Sequence, residues 1–388
     1  MRAALKHPAI VVFLVLALAP AALIGVDGPW YGGGTGPFLR APMPFPSGLS
    51  SQTFRRLSSW FNDRLGMRYP LLVLDSHWRL AVWRLRFRGE VLFGTGSWQF
   101  VNDAPSGPAA RMSDVRGYLR MAESDIALID RQVASARSRL AACGKAAFVV
   151  IAPNKQSIYP EELRGTEIYP PSRLDHLLEH LSPQTRAAII DVRAELRDAK
   201  RRYGVSNYYR TDSHWNDLGA FIAYRKIVSV LAQARAIERP ELATLDGVSV
   251  QAEPSAGGDV ATRMLFLPWN FSDQRVVLRG VPEPVPLVQS ERDRVIALNP
   301  HGKGKLLVFT DSFGPWLAPL LARHFERVEM LQRPAWPAVF DGEQIARSKA
   351  DVVMIQIVER NLPELTQPAR ALEQACASYR TRRTRIGP

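Results

Sequence analysis

Apolar positions change their spacing several times along the chain. From Ser51 to about Arg86 they recur at three and four residues, through Phe54, Leu57, Trp60, Phe61 and Leu65, which predicts helix. Pro70 divides that run into two helices. Glu90 to Phe100 reads as a hairpin turning on glycine. Ser113 to Ala142 predicts a long amphipathic helix. Short, wholly apolar runs then follow at Ala146–Ile151, Ala187–Val192, Leu306–Thr310, Val328–Leu331 and Asp351–Val358, with helices at Asp217–Ala236 and Pro315–Phe325. Strands without a polar face, alternating with helices, predict an α/β fold: a parallel sheet with flanking helices. Val248 to Ala297 is irregular and β-like and reads as an insertion.

The first residues bear on location. Arg2 and Lys6 precede an apolar run from Ala9 to Val26, close to the ~20 residues that cross a bilayer. No clean small-x-small cleavage site follows. Residues 1–26 are therefore expected to be a signal anchor, in the inner membrane through residues 9–26, with the rest of the chain on the periplasmic face. A cleaved signal peptide, leaving the protein in the periplasm, is the alternative. The Gly- and Pro-rich stretch 27–47 reads as a linker, and 379–388 as a basic tail.

The chain of 388 residues carries a formal charge of +13. That favours polyanionic partners such as anionic lipid or acidic polysaccharide. The arginines are scattered, and no zinc-finger spacing, RNA-binding aromatic motif or basic zipper occurs, so no nucleic-acid partner is expected. Cys143 and Cys376 have neither metal-ligand spacing nor a Cys-x-x-Cys arrangement. They are read as two buried thiols, one disulfide in an oxidising compartment being the alternative.

Chemistry in open α/β sheets gathers beyond the carboxyl ends of strands. There the third strand runs into Thr310-Asp311-Ser312-Phe313-Gly314-Pro315. Ser312 at that turn either caps the following helix or acts as a nucleophile. A nucleophilic serine needs a base and an orienting carboxylate. Asp-Ser-His-Trp occurs twice, at 75–78 and 212–215. The first copy lies in a helical run, where residues two apart face different ways, so His77 is read as structural. The second precedes a helix, where Asp212 and His214 can converge in an extended or looped segment. Ser312 as nucleophile, His214 as base and Asp212 as its orienter make an acyl-transfer triad that requires no metal or cofactor.

Several blocks in this order resemble one family. They are Phe61-Asn62-Asp63-Arg64-Leu65-Gly66-Met67-Arg68, the Val91–Phe100 hairpin, Ile151 to Glu161, Thr211 to Ala220, and Thr310-Asp311-Ser312-Phe313. Together they are similar to the SGNH-hydrolase-like domain of bacterial alginate O-acetyltransferases and related exopolysaccharide acetylation proteins. The resemblance implies a permuted SGNH motif order of Asp, His, Ser. The similarity covers most of residues 50–365, and the chain is read as an N-terminal helical and hairpin part of the domain at 48–110 followed by an SGNH-like α/β catalytic domain at 111–378. The resemblance implies acetyl transfer to hydroxyls of an exported polysaccharide acceptor, with a membrane-bound O-acyltransferase as acetyl donor. A polysaccharide acetylesterase or a non-catalytic scaffold of an export complex are the alternatives. Asn154 and Asn270 are both candidates for the SGNH oxyanion asparagine. Lys155, Asn270 and Arg360 are the candidate substrate contacts, with a surface ion pair as the other reading of Lys155 and Arg360.

Overall fold

A computed structural model describes residues 68–83, 91–102, 120–163, 171–238, 247–267, 269–291, 293–332 and 339–376, and a few single positions ahead of them. The expectations for the linker and the basic tail lie outside the described residues, as do most of the membrane segment and of the stretch before 68. No helix among the described residues is long and apolar enough to cross a membrane. The chain divides into two units, 1–86 with 265–268, and the remainder.

In the smaller unit, helix α1 spans Arg68–Trp83. Pro70 falls in its first turn, where a missing N–H costs nothing, and most of the helix expected ahead of it lies outside the described residues. The expectation that the first Asp-Ser-His-Trp copy is helical holds. Asp75 accepts from Arg79 at 2.8 Å, and His77 Nδ1 lies 2.8 Å from the Val73 carbonyl, so the two do not pair.

The larger unit opens with the hairpin β1 Val91–Phe93 and β2 Gln99–Val101. Helix α2, Glu123–Ala141, buries Ile126, Ile129, Val133, Ala136 and Leu140 along one stripe. The main sheet is built from β3 Ala146–Ala152, β4 Ile189–Asp191, β7 Leu287–Ser290, β8 Arg294–Leu298, β9 Lys305–Thr310, β10 Arg327–Gln332 and β11 Val352–Val358. Their order is β4-β3-β11-β9-β10-β8-β7. The first five are parallel, whereas β8 and β7 pair antiparallel. The wholly parallel sheet expected from the sequence is therefore corrected to a mixed one. Its two extra strands come from the end of the stretch read as an insertion, where Val295, Ile296 and Ala297 are buried. A second antiparallel pair, β5 Ser249–Ala256 and β6 Ser272–Arg279, lies earlier in that stretch.

Both faces of the parallel strands are covered, which is why their sequences are apolar throughout. Phe148, Val150, Met354 and Val308 point into one core with helix α5, Asp217–Gln233. Val149, Ile151, Ile355 and Phe309 point into the other, with α2, α3 (Arg173–His180) and α6 (Gly342–Ser348). Helix α4, Arg193–Tyr203, ends on Gly204 in the left-handed region.

Two further corrections concern the sequence near β9 and the cysteines. The long helix expected at Pro315–Phe325 is a 3-10 turn, Gly314–Leu317, followed by one α turn, Ala318–Leu321. Pro319 lacks the N–H that a longer helix would bond to the Pro315 carbonyl. Cys143 and Cys376, read as free thiols, are bonded to each other.

Candidate active site

The second Asp-Ser-His-Trp copy lies in a tight loop. Tyr208 and Trp215 form an isolated antiparallel bridge, and the Tyr209 N–H donates to the His214 carbonyl at 3.3 Å. Within this loop the His214 N–H donates to Asp212 Oδ1 at 3.0 Å, turning the chain so that the ring returns to the same carboxylate. His214 Nδ1 and Asp212 Oδ1 are 2.7 Å apart. With Nδ1–H donating there, Nε2 is left as an acceptor, and Ser312 Oγ lies 2.7 Å from it. The structure thus brings Asp212, His214 and Ser312 into one hydrogen-bonded chain.

Ser312 is exposed at the carboxyl end of β9. Asp311 fixes its turn: Oδ1 accepts the Phe313 N–H at 3.0 Å, and Oδ2 accepts the Val358 N–H of β11 at 2.6 Å. The Ser312 N–H makes no hydrogen bond to the described residues. Gly314 packs on Thr310 so closely that a Cβ would meet Thr310 Oγ1 at 1.8 Å. Phe313 forms the floor, its ring 4.8 Å from His214 and 5.1 Å, edge to face, from buried Trp215.

Three residues with no signal in the sequence hold this arrangement. Asp273 accepts from the Arg210 and Thr211 N–H groups at 3.0 and 2.7 Å. Gly258 lies against Asp212, where a Cβ would come within 2.2 Å of the Asp212 Cβ. The Asp259 N–H donates to Asp212 Oδ2 at 2.8 Å, and its carboxylate accepts both the N–H and the hydroxyl of Ser213 at 2.7 Å. That carboxylate also lies 3.6 Å from His214 Nδ1. Ligand atoms of Asp212, His214 and Asp259 lie within 4.8 Å of one another, as in a metal site. Their hydrogen bonds to each other and to Ser213 instead describe a proton-handling group.

The charges follow from these contacts. Burial favours a neutral Asp212, but the hydrogen bond and charge of His214, with the N–H groups of Asp259 and His214, outweigh it and hold the carboxyl well below its usual range. Burial likewise opposes a charged His214. The Asp212 hydrogen bond and the charges of Asp212 and Asp259 overcome that and raise its pKa.

The remaining candidates are placed differently. Lys155 is buried, donating to the Gln99 and Arg210 carbonyls at 2.7 and 3.0 Å, so its ammonium braces the triad loop from beneath rather than meeting a ligand. Burial pulls its pKa down to about 8 against the raising effect of Asp212, Asp273 and Asp259. Asn154 is buried too, its N–H donating to Glu359 at 2.9 Å. Asn270 lies on an exposed turn before β6. Arg360 is the one of this group that reaches the site, its guanidinium 5.7 Å from the Phe313 ring centre.

The family model for the SGNH hydrolase-like domain of the acetyltransferase AlgX matches residues 91–293, which include Asp212 and His214 and end before Ser312. No curated protein sequence matches the chain. Among solved structures, Bacillus cereus PatB1 carrying a sulfonyl adduct is similar in fold, with a TM-score of 0.53 at 14% identity over 72% of this chain and 97% of that one. The O-acetyltransferase domain of Pseudomonas putida AlgJ gives a TM-score of 0.42 at 18% identity, over 76% of this chain and 99% of that one.

Proposed function

We infer from one premise, that this chain belongs to the family of SGNH hydrolase-like domains of the acetyltransferase AlgX, that it moves an acetyl group through Ser312 onto a hydroxyl of an exported polysaccharide. The observation that carries this reading is the unbroken chain from Asp212 to His214 to Ser312, with 2.7 Å at each step. Ser312 Oγ attacks the donor's carbonyl carbon while its proton passes to His214 Nε2. The tetrahedral oxyanion takes a hydrogen bond from the Ser312 N–H. His214 returns the proton to the departing donor oxygen, leaving acetyl-Ser312. A sugar hydroxyl then gives its proton to His214 and attacks the acetyl carbon, and Ser312 Oγ recovers a proton as it leaves. Asp212 stays ionised throughout and stabilises the imidazolium.

Export is supported by the basic and apolar start of the sequence and by the disulfide, which suits an oxidising compartment. On this reading the protein works in the periplasm or at the periplasmic face of the inner membrane. A membrane-bound O-acyltransferase hands it acetyl groups. The Arg360 guanidinium, 5.7 Å from the Phe313 ring centre, supports an acidic acceptor. The exposure of Ser312 to water favours a second outcome, hydrolysis of the acetyl-serine, which would make the protein an esterase.

Incubation with an activated acetyl ester, followed by mass analysis of the Ser312 peptide, tests the reading. One added acetyl group is expected, and none in His214→Ala. An unmodified Ser312 under turnover sinks the covalent route. Acetate release that no oligosaccharide acceptor diverts would assign the esterase.

A further inference from the structure

At the antiparallel side of the sheet the apolar layer gives way to charge. A cavity of about 500 Å³ lies between the face of β8, β9 and β10 and the end of α6, within the ~300–1,000 Å³ typical of ligand sites. Five cations line it: Arg294, Lys305, Arg327, Arg347 and Lys349. Glu329, only 3% exposed, sits among them. It pairs with Arg327 at 2.9 Å and with Arg294 more closely still, holding the two guanidinium groups side by side. Apart from Glu329, Asp293 is the only acid in the lining, and Glu343 outside it lies 3.7 Å from Arg347, which leaves an excess of two positive charges.

The fold explains the sign of some of these groups and not their convergence. Arg347 and Lys349 end α6, where the helix dipole favours cations. Arg294 and Arg327 are matched by Glu329. Lys305 comes from the start of β9, in register with Arg327, and its ammonium has no partner among the described residues. Cations gathered round one cavity repel each other, and an anion in the cavity relieves that repulsion. The guanidinium N–H groups that Glu329 leaves unused, together with the Lys305 ammonium, suit an oxygen-bearing anion. The cavity runs along β10, from Arg327 at its amino end to Leu331, which pairs with Arg294, and none of the triad residues lines it.

We propose that this cavity is a second binding site, distinct from the triad, for an oxygen-bearing anion, either free inorganic phosphate or the acidic groups of a charged saccharide. The test is calorimetric titration of the intact chain with inorganic phosphate, with oligogalacturonate and with a neutral gluco-oligosaccharide. One of the two anions is expected to bind, more weakly at higher salt, and which one does identifies the source; the neutral sugar is expected not to bind. Lys305→Gln with Lys349→Gln leaves the Glu329 pairs intact, so its fold is preserved. It is expected to lose at least about tenfold in anion affinity. Arg327→Gln is expected to lose more, with thermal unfolding measured alongside to verify that it folds. Binding of neither anion, equal binding of the neutral sugar, or undiminished binding by the folded lysine variant overturns the proposal.

Discussion

Asp259 lies 3.6 Å from His214 Nδ1, and its charge joins that of Asp212 in outweighing the burial that would lower the imidazole's pKa. Only the neutral ring can take the Ser312 proton, so the acyl-transfer rate should rise with pH through a His214 pKa above the usual histidine value. Asp259→Asn removes one negative charge and should move that rise to lower pH, which a pH–rate profile on a small acetyl ester measures. An unmoved profile would show that Asp259 only packs. Asp212→Asn loses the orienting carboxylate itself and should cost roughly ten-thousandfold in kcat. The Asp212–His214 pair was legible because its two members are neighbours in sequence. Asp259 was not, because its contact is made in three dimensions by a stretch whose own pattern is irregular.

The turn after β9 is held from both sides. Asp311 satisfies the N–H groups of Phe313 and Val358, so Asp311→Ala leaves two buried donors unmatched. That should cost about 1–3 kcal/mol for each donor in urea unfolding and lower kcat as Ser312 drifts from His214. Gly258→Ala should reduce activity more than stability, because the added methyl meets Asp212 rather than the core; circular dichroism beside kinetics separates the two. The parallel strands were legible as short runs with no polar face, and β10 and β11 fall within a residue of their expected bounds. The helix after Ser312 was not. Its apolar residues continue to Phe325, while Pro319 interrupts the hydrogen bonds that would extend it. β7 was hidden for a related reason, since an edge strand buried on neither side shows no period to read.

Across the molecule, the Cys143–Cys376 bond ties the end of α2 to the segment after β11 across a separation of 233 residues. No spacing rule connects cysteines so far apart, which is why composition alone favoured free thiols. Closing so long a loop restricts the unfolded chain, and reduction should cost about 2–5 kcal/mol, read as a lower urea midpoint with dithiothreitol. The position of β11 has another result. It is the latest of the described strands in the sequence, yet it fills the gap between β3 and β9. The loop holding Asp212 and His214 leaves the ribosome about a hundred residues ahead of Ser312. Before Val352–Val358 emerge, β3 with β4 and β9 with β10 are two unjoined fragments with open edges. Threading that strand between them unites the halves and lets Asp311 clasp Val358, so on the proposed reading the Ser312 turn is not fixed until Val352–Val358 have emerged.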